Sequence, residues 1–305
     1  MQDNQNVTEA DLSGLSWQDW RARLHDVAGD DGFAEPLGAR HTAVFIEHKP
    51  VLLVTFESFE SIRERSEAGR PLGWQMRDAL GWSHLCLVCD GDTWFRDRHV
   101  FGFFDRLIDE GFFDNFEQVL FYGAGPCGYA AAAFSVASPG ARVLALQPQA
   151  TLDPRVAEWD DRFRHMRRED FTSRFGYAPD MLDAAEHAYI VYDPEEDLDA
   201  MHAALFTRSN VTKVRARFFG LELETMLLRL EVLYRMLAAA CWSAARPGPF
   251  ARRCARQKRP FERRPPATAR RRRLPPTTAH SPRIPAEERH GPYGPSGRDC
   301  VKALA

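Results

Sequence analysis

The residues best placed to do chemistry lie in one run, Val119-Leu120-Phe121-Tyr122-Gly123-Ala124-Gly125-Pro126-Cys127-Gly128-Tyr129. It leads from an apolar segment through a glycine-rich turn into the alanine-rich stretch Ala130–Ala133. An apolar run that ends in such a turn, just before good helix formers, has the layout of a strand delivering a loop to the mouth of an α/β sheet. Two chemistries use that layout. Gly123-x-Gly125-x-x-Gly128 matches the dinucleotide fingerprint, whose glycines let the backbone approach a pyrophosphate. The same turn occupies the place of a nucleophile elbow, Gly-x-Ser-x-Gly, which presents a serine on a sharp strand-to-helix bend.

Each chemistry needs partner residues. A dinucleotide site wants an Asp or Glu roughly 20 residues further on, at the tip of the next strand. That tip is Leu146-Gln147-Pro148, which has no acid. An elbow wants a nucleophile, a backbone N–H directly after it, an acid and a histidine. The nucleophile position is Gly125, and the next residue is Pro126, which has no N–H to offer an oxyanion. Asp193 follows the apolar run Ala188–Tyr192 and stands where the acid belongs, but Gly220-Leu221-Glu222 contains no histidine. The remaining catalytic candidates are Asp193 and His202. Gly123, Gly125, Pro126, Cys127 and Gly128 are the ligand-binding candidates of the turn, with Asp90, Asp92 and Gln147 on neighbouring strand ends. Cys127 at a helix start could be a reactive thiol; its place before Gly128 reads better as close strand–helix packing. Asp90, Asp92, Asp97 and His99, with Asp193 and His202, could gather a divalent cation. Asp-Gly turn chemistry and solvated loops explain these acids without one, so no metal site is expected. His202 reads as a satisfied surface or interface histidine. Arg162, Arg164, Arg167 and Arg168 alternate with acids and read as a solvated face.

The elements that must position these residues follow from periodicity. Ser16-Trp17-Gln18-Asp19 resembles a capping box, and Trp17, Trp20, Leu24 and Val27 fall at helical spacing, so an amphipathic helix packs on the sheet and ends near Gly29. Residues 42–46 and 51–56 read as a hairpin or two neighbouring strands. Further strands are expected at 84–89, 119–122, 141–146, 188–192 and 211–218. Helices are expected at 100–107, from the glycine turn to 138, at 199–206, and as one final helix carrying Leu223, Met226, Leu227, Leu230, Leu233 and Leu237. Cys86-x-x-Cys89 lies within a strand, where residues three apart point to opposite faces, and reads as two buried thiols. Strands alternating with helices argue for an α/β fold: a mostly parallel sheet covered by helices on both faces.

The 305 residues, 44% of them hydrophobic, suffice for a substantial core. The net charge of −3 hides a division, because residues 246–305 carry 16 Lys/Arg against 4 Asp/Glu. That segment is Arg- and Pro-rich, with little to bury, and disorder is expected there. It reads as a nucleic-acid or anionic-surface arm, as a charged tail without a partner, or as an out-of-frame stretch. The expected organisation is an N-terminal segment with its helix (1–36), an α/β domain (37–243) and the basic tail (244–305). No run approaches the roughly 18 apolar residues of a membrane span, and residues 1–9 do not read as a signal peptide, so a cytoplasmic protein is expected.

Residues 40–240 resemble bacterial proteins of the α/β-hydrolase superfamily with a degenerate elbow, through the stretches 50–57, 81–96, 121–134, 142–154, 170–179 and 193–206. Proteins of this kind often carry the label phosphoadenosine phosphosulfate reductase. True reductases have a Ser-Gly-Gly-Lys-Asp-like loop and a C-terminal Cys-Gly-x-His, and this chain has neither. The resemblance implies an α/β-hydrolase-like protein, non-catalytic or catalytically degenerate, that binds a small molecule or a protein partner. A nucleotide-dependent enzyme of NAD or FAD type using Gly123–Gly128 stays open beside it, as does, more remotely, a phosphoadenosine phosphosulfate reductase-like activity. No cofactor is specified. Nucleic acid is a partner only if the basic tail is genuine.

Overall fold

Residues 10–29, 32–48 and 50–242 are described by the computed structural model, so the expectations for 1–9 and for the tail fall outside the described residues. Eight strands form one sheet: β1 (Gly32–Leu37), β2 (His41–Ile46), β3 (Val51–Ser58), β4 (Ser83–Cys89), β5 (Gln118–Ala124), β6 (Arg142–Leu146), β7 (His187–Tyr192) and β8 (Val211–Arg215). Their order is β1-β2-β4-β3-β5-β6-β7-β8. β2 runs antiparallel to β1 and β4, and every pairing from β4 across to β8 is parallel. β4, β6 and β7 are buried along their whole length, and β3 and β5 along nearly all of theirs. That is why these strands read as apolar runs without alternation: helices cover both faces. The architecture is α/β: a mostly parallel sheet between two helical layers.

Alternate side chains feed opposite faces. Leu52, Val54 and Phe56 of β3 join Phe121 and Val143 in the larger core. Helices α4 (Arg98–Asp109), α5 (Pro126–Phe134) and α6 (Asp197–Leu205) cover that side. On the other face, Val51, Leu53 and Tyr122 pack with α7 (Leu223–Arg229) and α8 (Leu233–Trp242). Val44, Cys86 and Val88 pack there with α1 (Trp17–Ala28), α2 (Phe59–Arg65) and α3 (Gly73–Leu80). Trp20 is fully buried in that last cluster, and its indole N–H donates to the Gly69 carbonyl at 2.8 Å.

Several expectations need correction. Residues 42–46 and 51–56 are not neighbours, because β4 lies between β2 and β3. β4 is buried toward both faces, which an inner position between two strands provides and an edge does not. β1 lies outside the expected strands: it is one of the two edge strands, mostly half-exposed, and carries Pro36, which is tolerated only where the ladder has a free side. The last strand stops at Arg215, and Phe218 lies beyond it with φ +66° and is exposed. The final helix is two. Glu231 takes φ +54° between α7 and α8, and the Val232 amide reaches back to the Leu227 carbonyl at 2.9 Å. Leu223, Leu227, Leu233 and Leu237 are buried as their spacing requires, while Leu230 at the bend is exposed.

Candidate functional site

The glycine turn is an elbow in shape. β5 delivers Gly125 with φ +55° and ψ −123°, a conformation that a residue with a side chain adopts only under strain. Its N–H donates to the Leu146 carbonyl at 2.8 Å, and its own carbonyl accepts from the Tyr129 amide at 3.0 Å, starting α5. Gly123 is needed for packing: a Cβ there would lie 2.1 Å from the Cys127 carbonyl oxygen. At Gly128 a Cβ would sit 3.0 Å from the Leu146 carbonyl oxygen. At Gly125 it would meet nothing within 4 Å. Pro126 opens α5, where its fixed φ suits a first helical turn and its missing N–H costs the helix nothing. The bend therefore has room for a side chain at Gly125, and Pro126 directly after it has no N–H.

Asp193 and His202 belong to a buried polar network on the β6–β7 side. The Asp193 carboxylate accepts from the amides of Glu195 (3.0 Å) and Gly220 (2.8 Å). The Gln147 amide donates to Asp199 (2.8 Å) and to the Gly220 carbonyl (3.0 Å), so Gln147 supports the loop after β8 and has no side-chain donor left over. His202 is fully buried, not a surface residue. Its Nδ1 accepts from the Ala150 amide at 3.1 Å, which leaves Nε2 to donate to Asp160 at 3.0 Å. Burial alone would raise the Asp160 pKa, but bonds from His202 and Arg162 outweigh it and hold the carboxyl below its ordinary range. Arg162 also reaches Asp199 at 2.8 Å, so this arginine belongs to the network and not to a solvated face; Arg164 does stay exposed. Gly220 and its neighbours carry no histidine, and neither Asp193 nor His202 lines the cavity beside the turn.

That cavity, about 230 Å³, opens at the carboxyl ends of β3, β4 and β5. Of the ligand candidates, Asp92, Pro126 and Cys127 line it; Gly123, Gly125, Gly128, Asp90 and Gln147 do not. Asp92 pairs with His165 (2.9 Å). Asp97 caps α4, accepting from the His99 amide (2.7 Å) and Nδ1 (2.8 Å), so these acids do not converge on one point.

Periodicity did not single out the charged wall. Arg65 bridges Glu57 (2.6 Å) and Glu224 (2.8 Å), and the Tyr122 hydroxyl donates to Glu224 at 2.5 Å. Burial works against the Arg65 charge, but the two carboxylates outweigh it and raise its pKa. Burial, then Glu224, pushes the Tyr122 phenol well above its ordinary value. The one local signal was an acid, Glu57, closing an apolar strand. Cys89 and Cys127 line the same cavity, and the neighbouring Cys89 thiol and burial together push Cys127 well above a normal thiol. Among the described residues, one group of side chains is close enough to hold a metal ion: Glu57, His84 and Cys86.

No helix among the described residues is long and apolar enough to cross a membrane. No family model matches the chain, and no curated protein matches its sequence. Among solved structures, it is similar to Est1E from Butyrivibrio proteoclasticus, at 13% identity and TM-score 0.42, over 68% of this chain and 99% of that one. It is also similar to the Pyrobaculum calidifontis esterase, at 13% identity and TM-score 0.46, over 74% and 93%. For the acylaminoacyl peptidase of Pyrococcus horikoshii the values are 11% and 0.47, over 73% of this chain but only 43% of that one. The phosphoadenosine phosphosulfate reductase label finds no support.

Proposed function

We propose that the protein is a degenerate α/β-hydrolase-like binding protein that takes a small organic molecule into the cavity beside the glycine turn. One observation carries the reading: the elbow bend is kept, with open space at Gly125, while Gly125-Pro126 removes both the nucleophile and the oxyanion donor. The cavity is lined by the aromatic residues Phe56, Trp94 and Phe95 and by the hydroxyl-bearing Ser58, Ser61 and Thr93. That mixed lining suits a compact ligand with both apolar and hydrogen-bonding groups, smaller than the ligands of the roughly 300–1,000 Å³ pockets that hold drug-sized molecules. A cytoplasmic location is part of the proposal, since Cys86, Cys89, Cys127 and Cys241 are all free, as a reducing compartment keeps them.

Native mass spectrometry of the purified protein tests the binding. A retained small-molecule adduct is expected, and it should vanish in Ser61→Phe, which fills the cavity. In parallel, p-nitrophenyl acetate should be hydrolysed no faster than by buffer. Turnover that Asp193→Asn or His202→Gln abolishes would sink the proposal.

A further inference from the structure

Four polar side chains interrupt the apolar face of the sheet between the two clusters beneath α1–α3 and α7–α8. Thr55 and Glu57 lie two apart on β3, and His84 and Cys86 two apart on β4, so each pair points to one side of its strand. The parallel register sets Thr55 beside Cys86 and brings both pairs to the same side. None of the four is more than 2% exposed. A Glu57 oxygen, a His84 ring nitrogen and the Cys86 sulfur all lie within 4.8 Å of one another. We propose that Glu57, His84 and Cys86 form a site for one divalent cation of the zinc class.

The donor set favours that class. Thiolate, imidazole and carboxylate together suit a borderline-soft ion; hard calcium or magnesium would want oxygens alone. Bonds of about 2.0–2.3 Å put the donors of a tetrahedral ion roughly 3.3–3.8 Å apart, so the three need close in by only about an ångström. Three protein donors leave the fourth position for water or a ligand. Thr55 holds the two side chains together: its hydroxyl donates to Glu57 at 2.9 Å and lies 2.9 Å from His84 Nε2. Gly73 leaves the imidazole its place, since a Cβ there would lie 2.1 Å from His84 Nε2.

Charge points the same way. Glu57 and Glu224 share the single guanidinium of Arg65, which leaves the seam one negative charge in excess. The Leu72 amide, 3.1 Å from both Glu57 oxygens, offsets that charge only in part, and a buried charge short of a counter-ion is costly. A divalent cation that displaces the Cys86 proton to solvent adds two positive charges and one negative, and the seam becomes neutral. Glu57 also lines the cavity, which gives ion and proton a route. The alternative is that the four residues form a hydrogen-bonded core cluster that never takes metal.

Cobalt(II) added to the full-length, metal-stripped protein separates the two. Binding of one equivalent is expected, with a thiolate-to-cobalt charge-transfer band in the near ultraviolet that zinc(II) abolishes by displacement. Cys86→Ser, which keeps a hydroxyl donor to Glu57, should lose the band and weaken cobalt binding more than ~100-fold, beyond the loss of an outer-shell partner. The double variant Cys89→Ser/Cys127→Ser should keep the band. A wild-type protein without the band, or a band that survives Cys86→Ser, overturns the site. If Cys86→Ser does not fold, the double variant still decides, because loss of its band would assign the thiolate to the cavity cysteines.

Discussion

Gly125 and Gly123 stand two residues apart and have opposite tolerances. A side chain at Gly125 has open space but must adopt φ +55° and ψ −123°. Such strain costs about 1–3 kcal/mol. Gly125→Ser should therefore fold with a Tm lower by roughly 2–12 °C, at about 2–4 °C per kcal/mol for a domain of this size. The new serine should leave esterase activity at background, because Pro126 still offers no amide and Gly220-Leu221-Glu222 contains no histidine. A measurable gain in p-nitrophenyl acetate turnover would show that the missing parts are supplied from elsewhere. Gly123→Ala has no such latitude. Its Cβ would sit 2.1 Å from the Cys127 carbonyl oxygen, so β5 and α5 must separate. We expect a loss beyond ~3 kcal/mol, in the range reserved for backbone clashes and core disruption, read as a fall in the urea midpoint or in soluble yield. Chain order alone suggested that all three glycines of the turn serve a ligand; at Gly123 and Gly128 the backbone neighbours are reason enough.

Among the elements, α1 shows how a local signal is kept in altered form. Ser16 caps the helix, accepting from the Asp19 amide at 3.2 Å, while its hydroxyl donates to the Asp19 carboxylate at 2.6 Å. The usual Glu would reach back to the Ser16 amide; Asp is one methylene shorter and binds the hydroxyl instead. Ser16→Ala should cost about 1 kcal/mol, seen as a lower urea midpoint at unchanged slope. A shift within error would mean that Trp20 packing alone holds α1. The central strands were legible because burial on both faces demands continuous apolar runs, and the glycine turn because its constraints are local. The break at Glu231 was not legible: the leucine stripe continues through it, and only packing of α7 and α8 against the sheet makes φ +54° worthwhile. The Arg65–Glu224 bridge was equally hidden, its partners 159 positions apart and joined only by the strand order.

Over the whole molecule, buried histidines tie stability to pH. His41 on β2 is 2% exposed, with Nε2 2.8 Å from the Thr93 hydroxyl. Burial is the main cause that lowers its pKa to about 4; Asp97 opposes it without prevailing. A histidine whose folded pKa lies below the unfolded value of about 6.5 binds fewer protons folded than unfolded, so its contribution is complete above that value and is lost as pH falls from there toward 4. The gap corresponds to about 3 kcal/mol. His187 shifts in the same direction, through burial and then Arg142, and adds to the loss. Below that window the carboxylates take over. Asp160, held low by His202 and Arg162, contributes stability above its ordinary carboxyl range and loses it as the pH drops further. Wild-type Tm should therefore fall in two stages, first between pH 6.5 and 4 and then more steeply in stronger acid. His41→Gln, which keeps a side-chain partner for Thr93 but cannot ionise, should start less stable at pH 7 and show a flatter first stage, while the second stage survives. Scanning calorimetry from pH 8 to pH 3 decides it: parallel curves for the two proteins through the first stage would mean that the imidazole buried between β2 and Thr93 does not set the acid response.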